Sequence, residues 1–96
     1  MPSYRVTLAV GALAPGVAPY AVLRAAARLV AEQVVVEAQD VRLIRGVPCA
    51  VVRYEAADDE VAIAVARLAV AGLRDTVEIR SDRVTRRDGG TWTPIA

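Results

Sequence analysis

The chain has 96 residues, of which 55% are hydrophobic, and a formal net charge of +1. One domain of this size buries roughly two thirds of its unfolded surface, so it folds without staples, and a near-neutral balance gives no whole-protein field toward nucleic acid or an acidic membrane. The absence of His and a single Cys, at position 49, exclude imidazole chemistry, an internal disulfide and a Cys-x-x-Cys metal-carrier loop.

The first segment, about Tyr4 to Gly11, alternates Tyr4, Val6, Leu8 and Val10 with Arg5, Thr7 and Ala9. That period of two is required by a half-buried strand and irrelevant to a signal peptide, so a strand is expected. A loop follows, Ala12 to Ala18, and Pro19 opens a helix that reaches about Gln33. Its apolar stripe is Val22, Ala26, Leu29 and Val30, with Arg24, Arg28 and Glu32 four apart on the other side. Val34 to Arg45 is rich in β-branched residues and reads as a second strand, Gly46 as a turn, and Val47 to Glu55 as a third strand paired to it in a hairpin. Asp58 is a good N-cap for a second helix running to about Leu73, with Asp59 and Glu60 favouring its first turn. Thr76 to Thr85 is the fourth strand, and Asp88-Gly89-Gly90 turns the chain back through Trp92.

The order strand, helix, strand, strand, helix, strand predicts an α+β fold: a ferredoxin-like βαββαβ sandwich. A four-stranded antiparallel sheet is expected under two helices on one face, with a short C-terminal hairpin extension. Residues 1–96 form one domain, without repeat or linker. The lack of Lys and the wealth of Ala, Val, Gly and Arg read as a GC-rich bacterial coding bias. The lone Cys fits the reducing cytoplasm, and no uninterrupted apolar run is long enough to cross a membrane.

Two elements carry more apolar residues than one core needs. In the second helix Val61, Val65 and Leu68 make one face and Ile63, Ala66 and Val70 another. In the third strand Val47, Cys49 and Val51 alternate with Ala50, Val52 and Tyr54, apolar on both sides. These patterns predict a homo-oligomer, a dimer first, with Ile63, Val70 and Val51 at the interface.

The sequence offers little for catalysis. Cys49 follows Pro48 inside a strand, where a thiol behaves as a small hydrophobe. Asp58, Asp59 and Glu60 are explained by helix capping. Asp75, Glu78 and Asp82 each have an Arg nearby and lack the dense spacing of a cation loop, so neither metal nor cofactor is expected. Arg80, Arg83, Arg86 and Arg87 concentrate charge before Trp92, but Asp82 and Asp88 dilute them. The central strands offer only Tyr4 and Tyr54 for stacking, which speaks against nucleic acid as a partner.

The loop Pro15-Gly16-Val17, leading from strand to helix, would let a backbone approach a ligand closely. With the segment Val36 to Val41 running on to Ile44-Arg45-Gly46, it resembles the ACT regulatory domains, which share the βαββαβ order. The resemblance implies a dimer that binds an amino acid or similar small molecule at the subunit interface, with Pro15, Gly16 and Val17 at the ligand edge. A plain strand-to-helix turn accounts for Gly16 as well. Two functions follow: a non-catalytic, ligand-binding regulatory domain, or a structural or protein-interaction module that docks through the second helix and the sheet face without a small ligand.

Overall fold

The computed structural model describes residues 1–96, the side chain of Pro19 excepted. Its elements are β1 (Ser3–Leu13), α1 (Pro19–Ala31), β2 (Val36–Ile44), β3 (Val47–Glu55), α2 (Asp59–Leu73), β4 (Val77–Asp88) and β5 (Thr91–Pro94). All pairings are antiparallel, in one sheet of order β2-β3-β1-β4-β5. The C-terminal hairpin is therefore not an appendage to a four-stranded sheet. Thr91 to Pro94 pairs with Asp88 to Thr85 and makes a fifth strand.

Register sorts the side chains onto two faces. Tyr4, Val6 and Leu8 of β1 stand opposite Tyr54, Val52 and Ala50 of β3, and Val6 also faces Val84 of β4. All seven are buried. The helices pack side by side over this face, α1 through Val22, Ala26 and Val30, α2 through Ala62, Val65, Ala66, Ala69, Val70 and Leu73. Half of these α2 residues are alanine, and small side chains shorten the distance at which a helix packs.

Local chemistry fixes the ends. Asp58 Oδ1 accepts a hydrogen bond from Val61 N at 2.9 Å, so α2 starts where the sequence places it. The β2–β3 hairpin turns on Arg45 and Gly46, with φ of 53° and 78°, as a two-residue turn matched to strand twist requires. Tyr4 and Tyr54 lie on neighbouring strands with ring centroids 6.1 Å apart. Tyr54 donates its hydroxyl hydrogen to the Ala62 carbonyl at 2.7 Å, and Tyr4 donates to Asp59 Oδ1 at 2.8 Å. Asp59 also receives Arg86 Nη1 at 2.6 Å, and Arg86 reaches Asp88 at 3.0 Å. This chain of bonds ties the start of α2 to β1 and β4.

No helix is long and apolar enough to cross a membrane.

Candidate functional site

Two surfaces stand out, one on each side of the sheet. The first is an apolar crevice of about 240 Å³ between the far end of β1, the first turns of α1 and the β2–β3 hairpin. Val10, Leu13, Val22, Leu23, Val41 and Ala50 line it. Tyr20, part of its lining, is 69% exposed, and Leu43, two strand positions beyond Val41 on the same side and opposite the lining residue Pro48, is 74% exposed. β2 is the sheet's edge, and from Glu37 to Ile44 every residue on it is exposed.

Pro15 and Gly16 form a turn that enters α1, closed by a hydrogen bond from Val17 N to the Ala14 carbonyl at 3.1 Å. Gly16 has φ of 82°, and a Cβ there would meet nothing within 4 Å. The loop thus lies next to the crevice, at the entry to α1, and lines none of it. The N-cap of α1 is Ala18, which caps no backbone N–H with its side chain.

The residues expected at an interface are scattered. Val70 is 6% exposed and belongs to the domain's own core, and Ile63 is half-buried. The large apolar side chains that α2 does expose are Val61 and Leu68. Helical phase explains the difference: Val70 follows Ala66 by one turn on the sheet-facing side, and Leu68 points away from it.

Val51 is on the face away from the helices, yet only 5% exposed. The cause is the second surface. On this open face lie Arg5 and Thr7 of β1, Arg42 of β2, Cys49, Val51 and Arg53 of β3, and Ser81, Arg83, Thr85 and Arg87 of β4. Arginine stems cover apolar surface while their heads stay in water, and this buries Val51 and Cys49. They floor a shallow basin of about 500 Å³. Trp92 of β5, which pairs with Arg87, walls one side. The Arg5 guanidinium lies 4.0 Å from the indole centroid and that of Arg53 5.4 Å. Burial first, and then Arg42, Arg53 and Arg87, hold the Arg5 guanidinium below its ordinary range.

Cys49 is a free, buried thiol. Its Sγ is 3.5 Å from the Val47 carbonyl, and burial pushes the thiol up, away from the thiolate needed for attack. Among the described residues, no three of His, Cys, Asp or Glu gather as metal ligands would.

Comparison of the chain with protein-family models, with curated proteins and with solved structures finds no match. The functional reading therefore rests on the two surfaces themselves.

Proposed function

We propose that this chain is a small, non-catalytic binding domain of ferredoxin-like layout, which pairs with a second copy of itself and takes a small apolar molecule in the crevice beside the Pro15-Gly16-Val17 loop. With β5 set aside, the strand order β2-β3-β1-β4 and the two crossing helices support the layout. The observation that carries the function is the crevice: an apolar hollow open to solvent, with Tyr20 and Val41 exposed in its lining and Leu43 exposed on the same edge strand, opposite Pro48. Concave apolar sites of this kind are where small molecules bind. Exposed apolar side chains beside a free strand edge also invite a second chain. An amino acid with an apolar side chain fits this chemistry, its carboxylate near the uncapped start of α1.

Pairing through the edge of β2 would bring two crevices to the subunit boundary and shield Leu43. Native mass spectrometry tests both parts. The expected species is a dimer that retains added small-molecule mass, and Leu43→Asp is expected to give monomers, because an unpaired charge would have to be buried at the contact. A wild-type monomer with no retained mass, which gains none on incubation with apolar amino acids, would overturn the proposal.

The second reading, a protein-interaction module, is supported by Val61 and Leu68 on the outer side of α2. It predicts that Leu68→Asp, rather than Leu43→Asp, changes the assembly.

A further inference from the structure

The alternation of β4 divides a cluster that looks mixed along the chain. Asp82 pairs across to Leu8 and Arg86 to Tyr4, both on the helix side, where Asp82 meets Arg67 of α2 at 3.7 Å and Arg86 binds Asp59 and Asp88. Arg83 pairs across to Thr7 and points with Arg87 to the open face. The carboxylates that seem to dilute the cluster are therefore on the other side of the sheet.

β1, β2 and β3 add Arg5, Arg42 and Arg53 to that face. Its own carboxylates are few. Glu37 holds Arg53 at 3.1 Å and Asp40 holds Arg42 at 3.4 Å, while Glu55 stands at the strand end opposite Ser3. Among the described residues Arg5, Arg83 and Arg87, with Arg45 at the rim, have no carboxylate within 4.0 Å. Four of the six arginines without a carboxylate partner thus gather on one side, over an apolar floor, with Thr7, Ser81 and Thr85 hydroxyls between them and the one tryptophan at the border; the other two, Arg24 and Arg74, belong to the helices.

We propose that this open face binds single-stranded nucleic acid: the unpaired guanidiniums of Arg5, Arg45, Arg83 and Arg87 take backbone phosphates, and bases stack at Trp92 and the Arg5 plane. Guanidinium forks suit phosphate oxygens, and aromatic stacking with a basic groove is how single strands are held without base readout. A second copy of this chain is disfavoured on this face, since it would oppose arginine to arginine. A duplex is disfavoured because both helices pack on the other side of the sheet, which leaves none on this face to enter a groove. An acidic protein would satisfy the charges, but its carboxylates offer no ring to stack on the Arg5–Trp92 pair.

The position of Trp92 supplies the assay, since it is the only tryptophan. Titrating the full-length protein with oligo(dT) in low salt is expected to quench its fluorescence to saturation. At about 0.7 counterions per phosphate, four contacts give a log–log salt slope of about −2.8, hence about a 50-fold weaker affinity at 200 mM than at 50 mM salt. Arg83→Glu and Arg87→Glu, both at exposed positions, are each expected to weaken binding several-fold and flatten the slope. Arg24→Glu, on α1, is expected to leave both unchanged. Labelled-oligonucleotide anisotropy reads the same equilibrium independently of the indole. No binding by either readout at 50 mM salt would overturn the proposal. So would equal loss in Arg24→Glu, or equally strong binding of polyglutamate or of a duplex.

Discussion

Gly16 is the residue on which the ligand-loop and plain-turn readings meet, and its substitution can be worked through. Gly16 has φ of 82°, and an added Cβ meets no atom within 4 Å, so Gly16→Ala changes backbone energy without a clash. An L-residue in the left-handed region costs about 1–2 kcal/mol. Reduced freedom of the unfolded chain offsets part of this, by about 0.4–1 kcal/mol. The net expectation is a loss of about 1 kcal/mol. In urea, with m of about 1–3 kcal/mol per M, the midpoint falls by about 0.3–1 M, and Tm falls by about 4–8 °C. Gly16→Asn should recover part of the loss, because Asn tolerates this region. Equilibrium urea denaturation of the three proteins decides the matter. Wild-type stability in Gly16→Ala, or an Asn variant no better than Ala, would refute the conformational argument. A loss well beyond 2 kcal/mol would refute the claim that the site is open.

Three other outcomes follow from the core and its caps. Burial foremost, then the bond to Asp59, raises the Tyr4 phenol from 10.0 to about 12, and burial raises Tyr54 as well. Native protein thus keeps protons that the unfolded chain releases above pH 10. Stability from this source is intact below pH 10 and declines as pH climbs toward 12; urea midpoints measured across that window should fall, and fall less in Tyr4→Phe. Asp58→Ala removes the cap on Val61 N and should cost about 1 kcal/mol by the same measurement, with Asp58→Asn close to wild type. The buried Cys49 should react with a thiol reagent at neutral pH only as fast as the protein opens, and immediate labelling of the native state would contradict its placement.

Much of the fold was legible because local signals agreed with one another. The period of two in β1, the Asp58 cap and the turn at Gly46 each fall where the sequence predicts them, although Arg45, expected in the strand, belongs to that turn as well. The helix starting at Pro19 ends at Ala31, two residues short of expectation, and the strand expected from Val34 begins at Val36. The fifth strand was harder to read, since Thr91 to Pro94 is short, includes a proline and gains its place only from the β4 edge. The candidate sites were the least legible part. Apolar residues all around α2 cannot say which of them meets the core, and in this Ala-rich helix it is Val70 that turns inward and Leu68 outward. The crevice joins Val10, Tyr20 and Val41 from three separate elements, which no local pattern connects. The basic face was hidden for a physical reason too: the sum of charges over residues 80–88 ignores that neighbouring strand residues point to opposite sides.

The two proposals have a joint consequence that neither has alone. Pairing at the free edge of β2 keeps two sheets side by side, so their open faces join into one basic surface. Five strands at about 4.8 Å spacing span about 24 Å, the length of about seven nucleotides at 3.4 Å each. A strand of eight nucleotides therefore covers one face, and one of twenty reaches both. Leu43 lies on the opposite side of the sheet from Arg83 and touches none of the basin. Leu43→Asp should thus leave affinity for an eight-nucleotide strand unchanged, while a twenty-nucleotide strand loses its bivalent gain, about 100-fold or more when both faces are engaged. Anisotropy titrations of the two lengths on wild type and variant measure this. Equal losses for both lengths would show that the substitution damages the face itself. No loss for either would show that the copies do not meet at β2, or that the faces do not act together.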